Sequence, residues 1–166
     1  MKIDKKQSVF KGNKLKIQVF GASHDSQIGV EVEGFDNSVV DKEELQQFVD
    51  RRRASNTAYS TKRLEQDKVI IEQGITDGRL SGLFRGVIQN NCQNSKDYSN
   101  LIKTPRPSHA DFVAYSKYQD TFDYRGGGKF SGRMTAPMCI AGGICKQILQ
   151  SKGISINAYI SRIGGV

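Results

Sequence analysis

Residues 15–33 read LKIQVFGASHDSQIGVEVE, and their alternation decides the fold class. Apolar and polar side chains alternate over 15–20 and again over 28–33, the period of a strand with one buried face. The loop between them is GASHDSQ, so His24 sits at a strand-to-strand junction, where a rigid base can present a side chain. The same pattern recurs downstream. KVIIEQGI (68–75) and LSGLFRGVIQN (80–90) are strand candidates, and the Asp77-Gly78 pair between them is a hairpin signal. Hairpins outnumber βαβ units, which predicts an α+β fold with an antiparallel sheet packed on helices.

The helices are read from caps and spacing. Asp41 with Glu44 three residues later resembles a capping box, and Leu45, Phe48 and Val49 follow at helical spacing up to the basic cluster DRRR at 50–53. Residues 135–151 form a second helix, with Pro137 in its first turn and Gly153 past its end. Ile140, Ile144 and Ile148 make its stripe, its first half is apolar nearly all round and is expected to be buried, and Gly142 and Gly143 invite a neighbour to approach. A short helix over HADFVAYSKYQD is expected with Ser108 as its N-cap. The polar segment SKDYSNLIKTPRP before it reads as a loop, and INAYISRIGGV at 156–166 reads as a strand. Residues 1–11 look like a basic tail, and 12–166 like one domain.

Bulk properties narrow the function. The chain has 166 residues with a formal net charge of +8 and a mean hydropathy of -0.51. That length suits one domain with its own core. The excess charge implies an anionic partner: a phosphorylated metabolite, a phosphate-bearing cofactor or nucleic acid. No apolar run could span a bilayer and no secretory signal is visible, so no membrane partner is expected. The three cysteines, Cys92, Cys139 and Cys145, make no CxxC or Cys/His pattern. Zinc and a disulfide framework are not expected, and a reducing, cytoplasmic setting fits.

Two constellations could carry chemistry. In YRGGGKFSGR (124–133) three glycines lie among Arg125, Lys129, Arg133 and Ser131. Backbone N–H groups freed by glycine, next to cations and a hydroxyl, suit an anion. A flexible loop with solvated charge explains the glycines but not this density of donors. His24 and His109 are the only histidines, and an imidazole titrates near pH ~6.5. Alone, each is more simply a surface or capping residue. Both follow a serine and precede an aspartate, and His109 lies in the proline-stiffened turn PRPSHAD. Neither serine sits in a nucleophile elbow, so a hydrolase is discounted.

Taken in order, GNKLKIQVFGASHD, DRRR, TKR, SKDYSNLIKTPRPSHAD and YQDTFDYRGGGKFSGRMTAP resemble chorismate synthase, from about Gly12 to the end. The resemblance implies half of a β-α-β sandwich built from two related halves and assembled as a homotetramer. It implies the anti 1,4-elimination of phosphate from 5-enolpyruvylshikimate 3-phosphate to give chorismate. The cofactor would be reduced FMN, with NADPH a candidate reductant. His24 would protonate the leaving phosphate and His109 the reduced flavin. Ser23, Arg52, Arg106, Ser131 and Arg133 would hold the substrate. Arg125, Lys129, Phe130 and Ser131 would hold the flavin. Ala22 and Asp25 stand where the family has GESHG, Ser108 where it has RPGHAD, Ala58 where a second arginine is expected, and Met134 where it has SxRETA. The chain stops at Val166, with the family's second half not in it, so little turnover is expected of it alone. Alternatives are a family member that has lost catalysis and a basic module gripping nucleic-acid phosphates, the latter less favoured.

Overall fold

The computed structural model describes residues 8–54, 58, 60, 65–91, 104–119 and 122–165. Five strands form one antiparallel sheet: β1 (Ser8–Lys11), β2 (Lys16–Gly21), β3 (Gln27–Glu33), β4 (Ile70–Thr76) and β5 (Arg79–Gln89), in the spatial order β1-β2-β3-β5-β4. β2 and β3 are the two halves of the opening stretch, in register Val19 to Val30 and Ile17 to Val32. β5 closes on the far side of β3, Val30 opposite Gly86. Asp77 and Gly78 turn β4 into β5, both at positive φ (50° and 74°), the demand of a type I′ turn. The α+β antiparallel class is thus observed.

Period-two alternation sorts the two faces. Ile28, Val30 and Val32 of β3, with Val19, Phe84 and Ile88, point to one side and are buried. The opposite side carries a polar ladder. Gln18 donates to Glu31 (3.2 Å), Arg85 pairs with Glu31 and with Glu72 (2.7 Å to the latter), and its guanidinium lies 4.2 Å from the Phe20 ring centroid.

Helices α1 (Lys42–Asp50) and α3 (Thr135–Gln150) cover the apolar face. Asp41 caps α1, accepting from the N–H groups of Glu43 and Glu44 at 2.8 and 3.0 Å. Ile140 and Ile144 of α3 are fully buried, each worth about 2 kcal/mol by area. Only one of the two α3 glycines serves close packing. A Cβ on Gly143 would stand 2.7 Å from Leu45 Cδ1, whereas one on Gly142 would meet nothing within 4 Å. Met138, half exposed, shows that the first half of α3 is not buried all round.

Three expectations change. Residues 8–11, assigned to the tail, pair with β2 as an edge strand, Ser8 opposite Val19 and Lys11 opposite Lys16. Their alternation was masked by the lysines around them. Helix α2 (Asp111–Tyr118) starts later than expected, with Ala110 at its cap. Ser108 does not cap it; its φ of 61° puts it in a left-handed turn. Residues 156–165, expected as a strand, are exposed and form none, because no described strand lies beside them to supply a ladder. Most of the loop expected over 95–107, the TKR motif and Cys92 lie outside the described residues.

Candidate functional site

The site forms where the β2–β3 loop meets the glycine segment. Gly21 ends β2 at φ 87°, and the chain then turns through Ala22, Ser23, His24 and Asp25 before re-entering the sheet. Ser23 and His24 are buried, at 1% and 7% exposure. Opposite them, Arg125–Phe130 winds as a tight 3-10 turn broken at Gly126, Gly127 and Gly128, all at positive φ. A Cβ on Gly126 would lie 2.4 Å from His24 Cε1 and 2.9 Å from Ser23 Oγ. Only glycine permits this contact, so the glycine run and the SHD loop are one structure.

Hydrogen bonds fix the imidazole's tautomer. Ser23 Oγ donates to the Arg125 carbonyl (3.1 Å), which can only accept. A hydroxyl has one proton, so at 2.9 Å from Nδ1 it accepts from His24 Nδ1–H. In that neutral tautomer Nε2 is the ring nitrogen that carries no proton. At His109 the arrangement is similar: Nδ1 donates to the Pro107 carbonyl (3.0 Å), but this ring is exposed. No contact among the described residues joins the two imidazoles.

Asn90, at the end of β5, ties the loop down. Its Nδ2 donates to the Asp25 carbonyl (2.7 Å) and its N–H to the Ser26 carbonyl (2.9 Å). Its Oδ1 accepts from Arg133 Nε at 3.0 Å. Arg133, 9% exposed, also pairs with Asp67, and Asp67 pairs in turn with Arg52. Ser131 Oγ accepts from the Arg133 N–H (3.3 Å), starting the turn that leads into α3. The structure therefore brings Ser23, His24, Arg52, Ser131 and Arg133 into one connected network.

The other cations are engaged nearby. Arg125 binds Asp123 through two hydrogen bonds (2.8 and 2.7 Å) and lies 3.6 Å from Asp25. The Asp123 carboxylate raises the guanidinium pKa above its already high value. Asp25 is thus faced by a cation. Arg106 forks onto Asp111 (2.7 and 2.9 Å) and holds that carboxyl below its usual pKa. Its Nη2 approaches Gly127, where a Cβ would stand 3.9 Å away. Lys129 sits 4.1 Å from the Tyr118 ring centroid and lowers the phenol's pKa, and Tyr118 lies 6.0 Å from the half-exposed Phe130 ring.

Sequence reasoning missed Asn90, Asp67 and Asp123. Asn90 had one signal, a polar residue at the end of a buried strand. Asp67 had none, because its partners lie 15 and 66 residues away. Among the described residues no group of three or more His, Cys, Asp or Glu could hold a metal ion.

An antiparallel sheet backed by helices, with the SHD loop tied through Asn90 to the buried Arg133 guanidinium, defines an α+β domain. Comparison narrows this class. A family profile described as chorismate synthase matches residues 15–166. The chorismate synthase of Azobacteroides pseudotrichonymphae genomovar. CFP2 is 42% identical over 157 residues, covering 93% of this chain and 44% of that one. That of Methanobrevibacter smithii is 40% identical over 157 residues (93% and 43%), and that of Thermococcus kodakarensis 42% over 158 (94% and 44%). A crystal structure of chorismate synthase shares the fold at a TM-score of 0.60 and 22% identity, over 89% of this chain and 36% of that one. The chain belongs to the chorismate synthase family. It spans less than half the length of the curated relatives it matches.

Proposed function

We propose that this chain carries the proton-donating and anion-binding residues of a chorismate synthase, for the anti 1,4-elimination of phosphate from 5-enolpyruvylshikimate 3-phosphate with reduced FMN. One observation carries the reading: a buried histidine of fixed tautomer is linked through Asn90 to the buried guanidinium of Arg133. Departure of phosphate needs a proton at the leaving oxygen and cations around the growing charge. His24 Nε2 supplies the proton, and Arg133 with Arg52 supplies the charge. Arg106 and Ser131 orient the substrate's anionic groups, and a forked guanidinium suits carboxylate and phosphate alike.

The residues at the rim fit a flavin. Lys129 offers a cation, while Phe130 and Tyr118 offer flat aromatic surface beside it. Reduced FMN, when bound, supplies electron density to the reacting ring without net oxidation. His109 presents Nε2 from its exposed turn as the proton donor on that side, and Arg125 anchors the glycine segment against Ser23.

Two alternatives carry less. The charge on Asp25 is met by Arg125, so it does not by itself argue for lost catalysis. Arg52, Arg106, Arg125 and Arg133 are all paired with internal aspartates, which weighs against a groove for nucleic-acid phosphates. A phosphorylated small molecule, a cytoplasmic setting and a homo-oligomer fit the family reading.

The test is chorismate formation from the enolpyruvyl phosphate under reducing conditions, with the chain mixed with the complementary C-terminal portion of a full-length relative. Turnover is expected, with His24→Gln lowering it by roughly 10²–10⁴-fold. The chain alone is expected to give little. Absence of flavin and substrate binding even in the mixture would refute the reading.

A further inference from the structure

Asp67 lies between two arginines and is 3% exposed. One carboxylate oxygen takes Arg52 Nη1 and the other takes Arg133 Nη1. Two guanidiniums and one carboxylate leave a net positive charge in a site largely closed to water. Arg52 Nε and Arg133 Nη2 are buried and have no hydrogen-bond partner among the described residues. Burying an N–H without an acceptor is costly, and more so on a charged group. Two such donors, on two arginines held by one carboxylate, therefore point to an acceptor that arrives with a ligand.

The carboxylate is itself held in place. Asp67 sits at φ 49°, in the left-handed region. A non-glycine residue stays there only where its surroundings fix it. Gln46 of α1 does so, donating Nε2 to the Asp67 carbonyl (3.2 Å) and accepting from the Val69 N–H at Oε1 (2.8 Å). On the far side, Asn90 Oδ1 takes Arg133 Nε, which leaves Nη2 as the outstanding donor of that guanidinium.

We propose that Asp67 is a positioning residue: it holds Arg52 and Arg133 side by side and directs their remaining donors at a tetrahedral or planar oxyanion, a phosphate or carboxylate group of the substrate. This rests on the chorismate synthase reading for the identity of the substrate, but not for the anion site. Without the carboxylate the two guanidiniums repel, splay and lose their shared aim. A purely structural ion pair would predict the opposite for anions, because removing its negative charge would raise their affinity.

Inorganic phosphate titrated into the 166-residue chain, followed by the side-chain ¹⁵N–¹H signals of its arginines, tests this. In the wild type the Arg52 and Arg133 signals are expected to shift and saturate. In Asp67→Asn, with the backbone spectrum retained, phosphate binding should weaken by roughly tenfold, the loss of about one charge-assisted hydrogen bond. If that variant does not fold, Gln46→Ala loosens the same turn without altering charge, and it should weaken binding several-fold. Equal or tighter phosphate binding by either folded variant, or no response of the two wild-type guanidiniums, overturns the proposal. A wild-type phosphate response lost in Asp67→Asn, without any flavin or substrate binding, sinks the enzyme reading and leaves the positioning role supported.

Discussion

His24 and Gly126 face each other so closely that neither tolerates change in the other. Gly126→Ala would place a methyl 2.4 Å from the imidazole at a φ of 58°. A cost of about 1–3 kcal/mol and displacement of the SHD loop are expected, read as a lower denaturation midpoint and a shifted His24 resonance. Ser108 is the reverse case. It stands at φ 61°, so Ser108→Gly should stabilise the chain by roughly 1 kcal/mol in thermal unfolding. The Arg106–Asp111 pair gives a pH signature. Arg106 depresses the Asp111 carboxyl in the folded state. Its stabilisation is therefore full above the unfolded value of about 3.9 and is lost as pH falls through the depressed folded value. The melting-temperature gap between wild type and Asp111→Asn should hold down to about pH 4 and shrink below it. A gap constant to pH 2 would contradict the assignment. At this scale the two histidines, the glycine run and their arginines were legible, because each sits in a compact motif. Asp67 and Asn90 were not, since what defines them is contact across the chain.

Helix α3 docks against α1 through one glycine and not its neighbour. Gly143→Ala should drive a methyl into Leu45 and Phe48 and destabilise by about 1–3 kcal/mol. Gly142→Ala meets open space and should stabilise by up to about 1 kcal/mol through helix propensity. The sign difference, measured by chemical denaturation, tests whether α1 packs where it is placed. Among the elements, β2 to β5, α1 and α3 could be read ahead of the structure, because alternation, the Asp77-Gly78 turn and the Asp41 cap all agreed. The misses share a cause. Ser108 looks like a cap by type, but its backbone geometry is decided by the turn, and the lysines of residues 1–11 hid the short strand β1. Residues 156–166 have a strand-like pattern, and pairing is a property of two segments rather than one.

For the molecule as a whole, the formal charge of +8 does not by itself locate a site. Arg52, Arg106, Arg125 and Arg133 are held by aspartates, and buried donors remain on Arg52 and Arg133. Under the proposed function those two donors, rather than the net charge, are where an anionic substrate would bind. The family was legible from five ordered motifs. The joining of the SHD loop to the arginine network became visible only once β5 brought Asn90 between them. The most direct test is to titrate 5-enolpyruvylshikimate 3-phosphate, with FMN present, into the ¹⁵N-labelled chain. Saturable shifts of the His24 imidazole and Arg133 guanidinium signals at one common affinity are predicted, both abolished by Arg133→Ala. An intact spectrum in which neither signal moves would contradict the account.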